Sequence, residues 1–108
     1  MAQKKTDPFK PGDIKLAELA KALSHPARIS ILRTLAEKNV CICGEIVEVL
    51  PLAQSTVSQH LKELKKADLV SGEVEGTKSC YCINWDKINE FTVLIKNLFD
   101  ELNKMKCC

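Results

Sequence analysis

The stretch that most restricts what this chain can become is Gln54–Lys66, Gln-Ser-Thr-Val-Ser-Gln-His-Leu-Lys-Glu-Leu-Lys-Lys. Val57, Leu61 and Leu64 recur at helical spacing, so a helix here carries one apolar face. The other face opens with Ser55, Thr56, Ser58 and Gln59 and continues through His60, Lys62, Lys65 and Lys66. Short hydroxyl and amide groups at a helix start reach base edges, and lysines further along meet phosphates. Just upstream, residues 44–50 read as a short apolar helix (Ile46, Val47, Leu50) broken at Pro51. Two short helices about a tight turn, the second polar-fronted, form the helix-turn-helix pattern. An ordinary surface helix with a solvated lysine face would use the same residue types, so the rest of the chain has to decide.

A chain of 108 residues supports one hydrophobic core rather than two. Its net charge of +2 permits nucleic acid without arguing for it, so basic groups matter only where they cluster. No apolar run approaches membrane-spanning length, and Met-Ala-Gln-Lys-Lys-Thr at the start has no apolar signal core; a cytoplasmic protein with no membrane partner is expected. Six cysteines fall in three doublets, Cys41/Cys43, Cys80/Cys82 and Cys107/Cys108. In a reducing compartment such thiols are ligands, redox groups or packing atoms rather than structural disulfides.

Residues 1–12 are polar, with Pro8 and Pro11, and read as a flexible tail; the domain is expected over 13–104 and a short cysteine-bearing tail over 105–108. Asp13 suits the N-cap of a first helix whose stripe is Leu16, Leu19, Ala20 and Leu23. Ser24-His25-Pro26 breaks it, His25 fixing the corner and Pro26 opening a second helix to about Glu37, with Ile29, Leu32 and Leu35 inward and Arg28 and Arg33 outward. Val40-Cys41-Ile42-Cys43 is strand-like. Beyond the lysine-rich helix, two strand-like runs flank Glu75-Gly76-Thr77-Lys78, a hairpin whose tip, Thr77 and Lys78, is placed to touch DNA. A last helix, about 85–104, repeats Ile88, Phe91, Ile95, Leu98 and Leu102, widened by Val93, Leu94 and Phe99. That is more apolar surface than a terminal helix of a small domain needs, which suggests a partner such as a second copy.

Ala22-Leu23-Ser24-His25-Pro26-Ala27-Arg28-Ile29-Ser30-Ile31-Leu32 resembles the entry segment of the ArsR/SmtB family of bacterial metalloregulatory repressors. Leu52 to Leu64 resembles the family's recognition-helix signature, and Gly76-Thr77 through Tyr81-Cys82-Ile83-Asn84 its wing; the likeness covers about residues 13–100. It implies a mainly α winged helix-turn-helix with five helices and a small β-hairpin wing. It implies too a homodimer joined through the first and last helices, here Leu16, Leu19, Leu23, Phe91, Ile95, Leu98 and Leu102. Such a dimer holds double-stranded operator DNA with two recognition helices in successive major grooves and leaves when an effector binds. The DNA-contacting residues would be Gln54, Ser55, Thr56, Ser58, Gln59, His60, Lys62, Lys65, Thr77 and Lys78, with no cofactor needed for binding.

Cys41-Ile42-Cys43-Gly44-Glu45-Ile46 aligns with the metal box of the family's arsenite repressors, except that Ile46 stands where that box has a third cysteine. The strand pattern supplies other donors. Alternation puts Cys41 and Cys43 on one face of one strand and Cys80 and Cys82 on one face of another. In winged-helix folds the strand before the helix-turn-helix pairs with the second wing strand, and neighbouring strands lie about 4.8 Å apart. The expected effector site is therefore Cys41, Cys43, Cys80 and Cys82, with Cys107 and Cys108 as secondary candidates. Three thiolates suit trivalent arsenic or antimony, and four suit cadmium, lead or zinc. The family also holds persulfide sensors, which pair a cysteine near the second or third helix with one in the last. An enzyme is not expected: there is no Cys-x-x-Cys at a helix start and no phosphate-binding loop.

Overall fold

The computed structural model describes residues 8–38, 42–43, 53–75 and 78–107. In chain order these form α1 (Pro11–Ala22), α2 (Pro26–Lys38), β1 (Ile42–Cys43), α3 (Gln54–Lys66), β2 (Val70–Glu75), β3 (Lys78–Ile83) and α4 (Trp85–Met105). Four helices are thus described where five are expected; the short helix read over residues 44–50 lies outside the described residues, as does most of the N-terminal tail.

The first helix begins earlier than its sequence suggests. Pro11 occupies its first turn, where a missing N–H costs nothing, and Asp13 sits inside that turn facing the positive helix end, rather than at the N-cap. Lys10 holds the N-cap position without a side-chain bond. At the α1–α2 corner, His25 caps α2: its Nδ1 accepts from the Ala27 N–H at 3.0 Å, and its carbonyl accepts from Arg28 N–H at 3.0 Å. The inward face of α2 also differs from expectation. Ala27, Ile31 and Leu35 are buried, while Ile29 is 41% exposed. Ile29 stands two residues, about 200° around the helix, from Ile31, so the two cannot face one core together. Arg28, expected outward, is half-buried.

The apolar face of α3 is as the spacing predicts: Val57 and Leu64 are fully buried and Leu61 nearly so. Burial of a leucine side chain contributes about 1.5–3 kcal/mol, so these three residues fix which side of α3 is left to face outward. The helix ends in a left-handed residue, Asp68 at φ 63°. The Asp68 N–H reaches Lys65 O at 2.9 Å and the Leu69 N–H reaches Leu64 O at 3.0 Å. That bond pair is a Schellman motif, and its usual apolar contact is supplied by Leu64 and Leu69, both fully buried.

The sheet has the order β1-β3-β2, all antiparallel. In it Ile42 faces Tyr81 and Cys43 faces Cys80 across β1 and β3, while β2 and β3 pair from Val70–Ile83 out to Glu75–Lys78. Tyr81 points into the core, 5% exposed, and burial raises its phenol pKa. Opposite it Gly72 has φ 155°; a Cβ there would lie 2.1 Å from the Cys80 carbonyl oxygen, so only glycine lets β2 approach β3 at this point. The core joins Leu19 and Ala22 of α1, Ile31 and Leu35 of α2, the α3 stripe, Leu69, Val70 and Tyr81. Helix α4 is capped by Asn84, whose side chain accepts from the Lys87 N–H, and rests Ile88, Phe91 and Leu94 on the edge of this core. It is tied to α1 by an ion pair between Lys15 and Glu90.

Candidate nucleic-acid interface and thiol cluster

Helix α3 presents Ser55, Thr56, Ser58 and Gln59 in its first turns and Lys62, Lys65 and Lys66 further along, all exposed. Its backbone amides at Thr56 and Val57 are satisfied by the Ala53 carbonyl, both at 3.0 Å, so the hydroxyl side chains are left for an outside partner. No acidic residue sits in that first turn, and Glu63 is the lone carboxylate of the helix. A polar, acid-free front followed by lysines is complementary to a groove edge flanked by phosphates. Of the other expected contact residues, Thr77 lies outside the described residues, and of Gln54 and Lys78 only the backbone is described.

His60 departs from this face. It is 9% exposed, and its Nδ1 accepts from Arg28 Nε at 3.2 Å. Its ring lies 4.4 Å, centroid to centroid, from that of His25. Desolvation, followed by the nearby His25 and Arg28, lowers its pKa against the opposing pull of Glu63. The expectation of an outward His60 is corrected, and the signal was present in the chain: 57, 60, 61 and 64 complete the i, i+3, i+4, i+7 stripe, with a histidine in an apolar slot. Arg28, not singled out by its sequence context, is the joint's third member; its Nη1 also donates to the Lys21 and Ala22 carbonyls, both at 3.3 Å.

The second cluster is sulfur. Cys43 of β1 is the cross-strand partner of Cys80 in β3, and Cys82 stands two residues further along β3 on the same face. Cys80 and Cys82 are half-buried and both in disulfide linkage, so each has another sulfur within bonding reach. Under reducing conditions the same sulfurs form a closely spaced thiol set. Cys41 and Cys108 lie outside the described residues, the Cys43 side chain is not described, and Cys107 is exposed at the chain's end. Among the described residues no three His, Cys, Asp or Glu side chains gather into a metal-binding group.

Two helices joined ahead of a polar-fronted third, with a hairpin behind it, define a winged-helix DNA-binding domain. The comparisons narrow this class. A family model described as a helix-turn-helix domain matches residues 23–73. An uncharacterized HTH-type transcriptional regulator from Methanocaldococcus jannaschii is 41% identical over 85 residues, covering 78% of this chain and 94% of that one. The arsenical resistance operon repressor of Bacillus subtilis is 34% identical over 76 residues, covering 69% and 71%. Among solved structures, the homodimeric winged helix-turn-helix DNA-binding domain of a Mycobacterium bovis protein superposes with a TM-score of 0.63 at 25% identity, covering 98% of this chain and 99% of that one. The chain belongs to the ArsR/SmtB family of winged-helix transcriptional repressors. It is a DNA-binding regulator rather than an enzyme, and no described helix is long and apolar enough to cross a membrane.

Proposed function

We propose that this repressor leaves its operator when a thiophilic effector, foremost trivalent arsenic or antimony, binds thiolates drawn from Cys41, Cys43, Cys80 and Cys82. The observation that carries the reading is the register setting Cys43 opposite Cys80, with Cys82 on the same face. Cys41 lies outside the described residues and joins the proposed set through strand alternation in the sequence. Cys80 and Cys82 each lie within disulfide reach of another sulfur, which supports a spacing that a single soft ion can span. Cadmium, lead or zinc would use four sulfurs of the same set. A dithiol or persulfide switch is a second reading, favoured by the same disulfide reach.

The patch adjoins the start of the helix-turn-helix on one side and the base of the wing on the other. Drawing β1 and β3 onto one ion tilts these elements and misplaces the recognition helix; a coupling of about 1–3 kcal/mol weakens binding 5- to 150-fold. The DNA contacts proposed are Ser55, Thr56, Ser58, Gln59, Lys62 and Lys65 of α3, with Gln54, Thr77 and Lys78 at the turn and wing tip. No cofactor is assigned to operator binding itself. The dimer is proposed through α1 and α4. Of the 21 residues of α4 none is fully buried, and Val93, Phe99 and Leu102 are each more than half exposed. The Mycobacterium bovis neighbour is a homodimer. Of the residues expected there, Leu16, Leu23, Phe91, Ile95 and Leu98 are half-buried, whereas Leu19 is taken up by the protomer's own core. An operator-bound repressor works where the DNA is, in the cytoplasm.

Replacing Cys41 and Cys43 with serine tests the effector site. Operator affinity should hold within about twofold while arsenite no longer releases the DNA. A double variant that folds but fails to bind operator would make these cysteines structural and sink the reading.

A further inference from the structure

The joint among His25, Arg28 and His60 belongs neither to the DNA-facing side of α3 nor to the sulfur patch. It is the polar seam between α2 and the recognition helix, set into an otherwise apolar packing surface. Arg28 is its centre: Nη1 holds the last carbonyls of α1, and Nε holds the His60 ring of α3. One guanidinium therefore links three helices. Both imidazoles act as acceptors at Nδ1, His25 from the Ala27 N–H and His60 from Arg28 Nε; for His60 this is the neutral ring with its proton on Nε2.

This arrangement works in one protonation state only. A proton added at His60 Nδ1 puts a donor against the Arg28 donor and a cation beside a permanent cation, with a second imidazole ring at 4.4 Å. The groups acting electrostatically on His60 are His25 at the α1–α2 corner, Arg28 from α2 and Glu63 from α3 itself. Glu18 and Lys21 of α1 and Lys66 of α3 line the adjoining cavity that Arg28 and Glu63 share. Of the groups acting on His60, His25 and Arg28 oppose the added proton, and only Glu63 favours it.

We propose that His60 is a positioning residue for operator binding: as a neutral acceptor it latches the recognition helix to Arg28, and its protonation opens the latch, so mild acid lowers operator affinity. The lowered pKa of His60 agrees with this geometry. The chain has two histidines, and both belong to this joint. The sign of the effect separates the latch from a direct contact. A histidine on a phosphate gains charge in acid and binds DNA more tightly; the latch predicts weaker binding.

The test is operator binding by fluorescence anisotropy, with reduced protein at constant ionic strength, from pH 8.0 to 5.0 in steps, on wild type, His60→Asn and His25→Asn. Asparagine keeps an acceptor amide oxygen and does not titrate. Wild-type affinity should fall progressively as pH drops from neutral to about 5, by no more than about tenfold per pH unit for one coupled proton. The His60→Asn protein should stay flat within about twofold, and His25→Asn, which retains a helix cap, should still fall. Wild-type affinity that rises or is unchanged in acid, or His60→Asn falling as wild type does, overturns the proposal. Should His60→Asn not fold, nitrogen-15 NMR of the wild-type imidazoles decides: His60 must hold its proton on Nε2 at neutral pH and titrate lower with operator bound than without. An equal midpoint in the two states overturns the latch. None of these readouts involves the effector, so failure here leaves the cysteine reading standing, and the reverse.

Discussion

At the residue scale, three side chains depart from what their neighbours in sequence suggest, each for a local reason. His60 turns inward because it completes the helical stripe of Val57, Leu61 and Leu64. Arg28 is held back by the carbonyls at the end of α1 and by His60. Asp68 sits at φ 63° because the Schellman closure of α3 demands a left-handed residue there, and the chain offers no glycine. The left-handed conformation costs an ordinary L-residue about 1–2 kcal/mol, less for aspartate, while a glycine loses about 0.5–1 kcal/mol in chain entropy. Asp68→Gly should therefore stabilise the protein by up to about 0.5–1 kcal/mol, read as a higher urea midpoint at unchanged slope. A lower midpoint would mean that the Asp68 carboxylate, which raises the Lys87 pKa as a minor contributor beside Glu90, matters more than its backbone. The same residue scale carries the pH prediction. His60 binds fewer protons in the folded protein than in the unfolded one, because its folded pKa is depressed. Its contribution to stability is therefore complete above the ordinary histidine value and is lost as pH falls from there through the depressed one.

At the element scale, much of the architecture was legible because single residues set it. Pro26 opens α2, the spacing of Val57, Leu61 and Leu64 sets the inner face of α3, and alternation in Lys78–Ile83 puts Tyr81 inside with Cys80 and Cys82 on the other face. The pairing of β1 with β3 followed from winged-helix topology. What was not legible depended on contacts between elements. The inner face of α2 passes through Ile31 rather than Ile29 because α3 lies on that side, which no feature of α2 alone announces. The Lys15–Glu90 pair is visible only once α4 lies against α1. For α3 as a DNA reader, Lys62→Ala and Lys65→Ala are each expected to weaken operator and non-operator DNA alike. Each should also reduce the slope of log affinity against log salt by about 0.9, the signature of one lost phosphate contact. An unchanged slope in both variants would place the lysines off the backbone and return them to a solvated face.

At the scale of the whole molecule, the two proposed inputs lie on either side of the recognition helix. The recognition helix is bounded by the Arg28–His60 joint where it meets α2, and the sheet bearing Cys43, Cys80 and Cys82 packs beside it through β2. Helix α4, with no fully buried residue along its length, offers the surface through which two such units would be set at operator spacing. Family membership fixes the repressor and leaves the effector to chemistry, and sulfur donors select soft ions. The most direct measurement is a titration of arsenite into reduced protein bound to a fluorescent operator, with anisotropy and thiolate-to-arsenic absorbance recorded together. DNA should be released as absorbance grows, both saturating near one arsenic per site, and the Cys80→Ser and Cys82→Ser double variant should lose both signals. Arsenic absorbance that saturates while the operator stays bound would contradict effector-driven release.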